Sequence, residues 1–283
     1  MKKWIAPLCL LLLLGGCSSK FAYNNFDWLV YWYVDDYVEL NDAQESVFDR
    51  HLAKWMAWHR HQELARYADQ LALLKQDVAD KNLSEDRVLF HLQQATSHWD
   101  RVRRELSPDL AQMAALLSDE QVIALFAALE KENQEEEDEL NEYLSMTDDE
   151  KAADRLSRII DGMEDRIGRL TGVQREIVER YSPLFLSTRA QWIDYRRAIQ
   201  QSARRLFADR HNNPAFIAEL TALMNDPDSY RSDLYRSQRD ENQQVYARMA
   251  AEIAATLTDK QREKLIKELS SLLEDIQDLK NDA

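Results

Sequence analysis

Between residues 55 and 66 the chain carries Trp55, Trp58, His59, Arg60, Glu63 and Arg66. At 100° per residue, Phe48, Leu52 and Trp55 form one helical stripe, and His59, Gln62, Glu63 and Arg66 continue it, so polar groups take over a face that apolar residues define. Such a set can line a ligand or catalytic pocket around His59 and Glu63. It can equally be a structural network, because buried charge without a partner is very costly. Beyond Leu64 the apolar set Leu64, Leu71, Leu74 and Val78 points to another side, which predicts a change of packing partner near residue 63. Other catalytic chemistry lacks its residues. None of the six histidines has Glu three positions before it, and there is no His-Glu-x-x-His, no Gly-x-Ser-x-Gly and no Walker loop. The expectation is a non-enzyme with no cofactor and no metal.

The N-terminus carries a different chemistry. Lys2 and Lys3 precede an apolar stretch from Trp4 to Leu14, the length of an export-signal core and too short to span a bilayer. Leu14-Gly15-Gly16-Cys17 resembles the lipobox of bacterial lipoproteins, which implies removal of residues 1–16 and attachment of a diacylglyceryl group to the Cys17 thiol. Ser18, where an Asp would signal retention, implies by the same resemblance transfer to the outer membrane. The domain expectation is therefore a signal peptide at 1–16, the lipidated Cys and a short tether at 17–25, and a body from 26 to 283 in the periplasm, with a possible subdivision near 145. Cys9 leaves with the signal and Cys17 is acylated, so no thiol remains for a disulfide, a metal or a nucleophile. Two or three acyl chains, at roughly 0.8 kcal/mol per buried CH₂, anchor a protein permanently.

Composition and charge narrow the partners. Only five Gly and five Pro occur in 283 residues, 31% are charged, and strong helix formers dominate, so an all-α protein is expected. The formal net charge is −15, which argues against nucleic acid because phosphate binding needs a basic face. Residues 130 to 150 hold eleven acids against Lys131 alone. The stretch Arg196, Arg197, Arg204, Arg205 and Arg210 can pair with them inside the molecule, or meet lipid headgroups or an acidic partner.

The elements that position these residues are read as helices at 26–38, 42–79, 85–106, 108–116, 119–144, 148–181, 183–209, 214–224, 228–256 and 259–280, an elongated multi-helix bundle of about eight to ten. Pro108, Pro183 and Pro214 are taken as helix starts behind Ser107, Ser182 and Asn213. Gly162, Gly168 and Gly172 fall inside one helical pattern. The 42–79 segment alone would run about 57 Å. Twelve of the 26 aromatic residues lie between Phe21 and Tyr67. They either fill the core or, on the helix that the short tether holds near the leaflet, meet the membrane interface; Asp27, Asp35, Asp36 and Glu39 oppose deep insertion.

Three helix starts repeat one pattern: Leu40-Asn41-Asp42-Ala43-Gln44, Leu117-Ser118-Asp119-Glu120-Gln121 and Leu257-Thr258-Asp259-Lys260-Gln261, with a weaker copy at Met146-Thr147-Asp148-Asp149-Glu150. Each reads as a capping box with apolar residues at matching offsets behind it. The pattern resembles the LTxxQ motif of the Spy and CpxP periplasmic chaperone family, which implies a helical binder of unfolded polypeptides. A second resemblance rests on Tyr23, Asp27-Trp28-Leu29, Trp32, Asp35-Asp36-Tyr37-Val38, Gln44, Trp58-His59-Arg60, Glu63-Leu64, Tyr67 and Leu71. These are similar to an uncharacterised proteobacterial lipoprotein family, a domain of unknown function, whose Pro after Glu-Leu is Ala65 here, implying an uninterrupted helix. The anchor, the long helices and the missing catalytic motifs lead to an anchored envelope binding or scaffolding module with the membrane and an envelope protein as partners. Alternatives are a chaperone-like client binder and a ligand pocket around His59 and Glu63.

Overall fold

In the computed structural model, the described residues are Tyr23 and 25–281; the signal sequence, Cys17 and Phe21 lie outside them. The protein is all-α, with no strand among the described residues. Its helices are α1 (Phe26–Asp35), α2 (Asp42–Trp58), α3 (Leu64–Ala79), α4 (Glu85–Ala114), α5 (Asp119–Ser145), α6 (Asp148–Ile167), α7 (Gly172–Tyr181), α8 (Arg189–Ala208), α9 (Phe216–Asn225), α10 (Asp233–Ala255) and α11 (Asp259–Asn281).

One rod runs from Asp42 to Ala79, but it is not uniformly α-helical. A π turn at His59–Glu63 joins α2 to α3. The extra residue of a π turn rotates everything beyond it, which is why the apolar stripe of α2 ends at Trp55 and a new one begins at Leu64. Both Glu63 and Leu64 are buried as a result.

Several boundaries differ from the sequence reading. Segments 85–106 and 108–116 are one helix with Pro108 inside it. The lost N–H and the ring clash normally cost about 3 kcal/mol. Packing outweighs that, since Leu106, Leu110 and Met113 meet α2 on one side while Ala111 and Ala114 meet α5 and α9 on the other. The Ser107 hydroxyl also donates to the Arg103 carbonyl at 2.6 Å. Segment 148–181 is two helices, because Gly168 ends α6 with φ +82°, a conformation that only glycine enters readily. Pro183 heads a 3₁₀ turn at Ser182–Leu184, and α8 starts later, behind Thr188. Pro214 lies in the turn before α9, where Asn213 caps Ala215 N–H at 2.9 Å. Pro227 opens a 3₁₀ turn, and Ser232 caps α10.

The repeated capping boxes form as expected at Asn41, Ser118, Thr147 and Thr258. Another, Leu170-Thr171-Gly172-Val173-Gln174, starts α7; it lies within 148–181, where the helical pattern runs through without a visible break. Four of these boxes work in pairs. Gln44 and Gln121 exchange hydrogen bonds at 2.9 and 2.7 Å, and each also donates to a carbonyl before the other's cap, Leu116 and Glu39. Gln174 and Gln261 repeat this, both exchanges at 2.9 Å, with Thr256 and Arg169 as the carbonyls. Each pair ties two helix starts together through side chains that already cap their own helices.

The core comprises four clusters strung through the bundle. Phe48, Leu52 and Trp55 pack under α1 and against α4. Ala111, Val122, Phe126, Phe207, Phe216 and Leu220 join α4, α5, α8 and α9. Ile167, Leu170, Ile177, Val178, Val245, Met249 and Ile253 join the end of α6 to α7 and α10. Tyr23, Leu64, Ile276 and Leu279 bring the start of the described chain, the rod and α11 together.

Candidate functional site

The 42–79 rod and α4 form an antiparallel hairpin that turns at residues 80–84, and a buried acid stands at three levels of their interface. Nearest the turn, Asp77 accepts from Arg87 Nε at 3.0 Å and from Asn82 at 3.3 Å, and pairs with His91 Nε2 at 2.9 Å. At the π turn, Glu63 is 1% exposed. Arg101 Nε donates to both of its oxygens, at 2.8 and 3.0 Å, Arg66 lies at 3.4 Å and His98 at 3.6 Å. Furthest from the turn, Asp109 accepts from Lys54 at 2.7 Å and from the Trp55 indole at 2.9 Å, with His51 at 3.3 Å. Burial pushes Asp77 and Asp109 up, yet hydrogen bonds from Arg87 and His91, and from Lys54 and Trp55, hold both carboxyls below the usual range.

The six residues singled out in the sequence are divided by the π turn. Trp55 is committed to Asp109 and the α2 core. Glu63 faces Arg101 of α4, whereas Arg66 is exposed and reaches back to Glu63. His59 and Arg60 turn toward Tyr23: its hydroxyl lies 3.1 Å from His59 Nδ1, and the Arg60 guanidinium sits 5.6 Å from its ring centre. The half-buried Trp58 has its ring centre 6.3 Å from that of His59. Tyr67 packs edge-on to both His59 and His98, at 5.4 and 4.6 Å. Burial pushes the His59 imidazole down to about 4 despite the Glu63 charge nearby, so the ring is neutral at pH 7.

The acids are thus saturated by hydrogen bonds and cations, an arrangement that holds two helices in register. Among the described residues, no three His, Cys, Asp or Glu side chains are grouped so as to hold a metal ion. Sequence reasoning missed Tyr23, Asp77, His98, Arg101 and Asp109. The signal for the last four was the hairpin itself, since residues equally far from a turn near 82 stand opposite each other.

Elsewhere, the basic stretch and the acidic segment meet inside the molecule. Arg196 pairs with Glu132 at 2.8 Å, and Arg197 with Glu130 at 3.1 Å and Glu137 at 2.7 Å, joining α8 to α5. The N-terminal aromatics serve two purposes. Tyr23 is 5% exposed in the core, whereas Trp28 and Trp32, one turn apart on α1, are 66% and 49% exposed. No helix among the described residues is long and apolar enough to cross a membrane.

A family model described as a family of unknown function (DUF6279) matches residues 36–236. No curated protein and no solved structure matches the chain. The match agrees with the expected domain of unknown function; it starts after the aromatic α1.

Proposed function

Since the chain belongs to DUF6279, a family of unknown function, we propose from its own geometry that it is a lipid-anchored, non-enzymatic binding or scaffolding module. Its place is the outer membrane, with the body in the periplasm. The observation that carries this reading is the burial of Tyr23 against His59, Leu64, Ile276 and Leu279. Tyr23 stands six residues after Cys17, so an extended tether reaches about 20 Å at most. An acyl group on Cys17 would hold the body at a fixed end, next to α1, and present the remaining helices to a protein partner. The saturation of Asp77, Glu63 and Asp109 supports a structural rather than a catalytic use of the polar residues.

The test is fractionation and crosslinking of the full-length protein in cells, beside Cys17→Ser. Wild type should sediment with the outer membrane and yield one dominant partner, and both should be lost in Cys17→Ser. Retention of Cys17→Ser in the membrane would refute the anchor. A second reading, a client-binding chaperone, is favoured by the paired LTxxQ-like boxes. It predicts a broad set of crosslinked proteins that persists in Cys17→Ser, together with suppressed aggregation of an unfolded substrate.

A further inference from the structure

Arg262, in the first turn of α11, is nine-tenths buried. Its Nη1 donates to the Val78 carbonyl at 2.5 Å, and its Nε is buried without a hydrogen-bond partner. No carboxylate pairs with it among the described residues. The carbonyl at the end of α3 is a favourable contact for a cation, but it does not neutralise the charge, and a buried guanidinium without a counter-ion is costly.

Arg262 lines a cleft of about 360 Å³ where the α3–α4 turn meets the end of α10, with Asp77, Lys81, Ser84, Glu252 and Ala255 on its walls. The two acids are already used. Asp77 is taken by Arg87, His91 and Asn82, and Glu252 by Arg180 and Tyr181. Setting these pairs aside leaves Lys81 and Arg262, two cations for which the described residues supply no carboxylate. That excess of positive charge stands out in a chain of net charge −15.

We propose that this cleft binds the phosphate group of a small molecule. A phosphate carries about two negative charges near neutral pH, which matches Lys81 and Arg262, and the Arg262 guanidinium keeps donors that the Val78 carbonyl does not use. The Ser84 hydroxyl accepts from Arg87 N–H at 3.3 Å and keeps its own proton to donate. The cleft volume falls within the usual range of small-molecule sites, roughly 300 to 1,000 Å³.

The full chain, purified in detergent, would be titrated with inorganic phosphate at ionic strength held constant with sodium chloride. The expected result is a saturable rise in melting temperature that chloride does not produce. Lys81 has φ +58°, and Asn tolerates that conformation, so Lys81→Asn should melt within about 2 °C of wild type without phosphate. It should weaken phosphate binding at least about fivefold, roughly the factor a 1 kcal/mol loss produces. Arg262→Gln should abolish binding. Glycerophosphoethanolamine separates the sources: tighter binding than phosphate assigns a phospholipid headgroup, and equal or weaker binding assigns a free phosphate compound. Absence of a phosphate-specific rise in wild type, or unchanged affinity in Lys81→Asn, would overturn the site.

Discussion

Glu63 is 1% exposed, and its carboxylate accepts from Arg101 Nε on both oxygens. Removing one member of a buried pair strands the other, so Glu63→Ala should lower stability by about 3 kcal/mol. The readout is a shifted urea midpoint at unchanged slope, and a loss below about 1 kcal/mol would show that this pair does not hold α4 to the rod. His59 makes a separate prediction through pH. Burial pushes its folded-state value down to about 4 from the usual 6.5. The unfolded chain therefore binds the proton first as pH falls. Its contribution is complete above pH 6.5 and lost progressively toward pH 4, about 3 kcal/mol in all. Burial, then the Arg101 charge, pushes His98 down as well, so it acts in the same direction. Asp77 and Asp109 are held low and lose their contribution only below the ordinary carboxylate range. Comparing stability at pH 7 and pH 5 isolates the imidazoles: the drop in His59→Gln should be smaller than in wild type, and an equal drop would acquit His59.

The paired glutamines set the hierarchy among elements. Gln174 is wholly buried and Gln261 nearly so, whereas Gln44 and Gln121 are half-buried. Truncation of the first pair strands partners away from water, so Gln174→Ala should cost about 2 to 3 kcal/mol and Gln44→Ala about 1. In a double-mutant cycle, Gln174→Ala with Gln261→Ala should cost less than the sum, because both variants break the same exchange; strict additivity would mean that the pairing contributes nothing. The π turn allows a geometric test. Gln62 is exposed, so Gln62→Ala should stay within about 0.5 kcal/mol of wild type. Deleting Gln62 instead turns α3 by about 100°, moves Leu64, Asp77 and Val78 off their buried positions, and should abolish cooperative unfolding. These elements also show what the sequence made legible. Helix class, the cap at each repeat and the change of face near residue 63 are local properties of pattern and side-chain chemistry. Pro108 inside α4, the break at Gly168 and the glutamine exchange depend on neighbours far along the chain, which no local pattern encodes. The site divides in the same way: Glu63 and His59 stood out by type and position, whereas Tyr23 and Arg101 became partners only through the hairpin and the docking of the N-terminal segment.

At the scale of the whole molecule, the question is which surface faces the proposed membrane. The charge pattern gives little direction. The acids of α5 nearest Arg196 and Arg197 are paired with them, and exposed pairs of this kind contribute only about 0 to 1 kcal/mol each. The aromatic pattern is more informative. Trp55 is buried and Trp58 half-buried, while Trp28 and Trp32 stand outward on the helix that follows Tyr23. Indole rings favour the headgroup region, where an apolar body and an N–H donor are both accommodated. Exposed Asp27 and Asp35 on the same short helix limit insertion to that shallow depth. In vesicles of phosphatidylethanolamine and phosphatidylglycerol, lipids brominated close to the headgroup should therefore quench the tryptophan fluorescence of the full-length protein. Most of the quenching should vanish in Trp28→Phe with Trp32→Phe, and lipids brominated near the chain ends should quench little. The Cys17→Ser protein, which lacks the proposed acylation site, should lose the quenching altogether if the tether alone brings α1 to the surface. Equal quenching in the double variant would place the bilayer against another face of the bundle, while the anchor reading would still stand on the fractionation result.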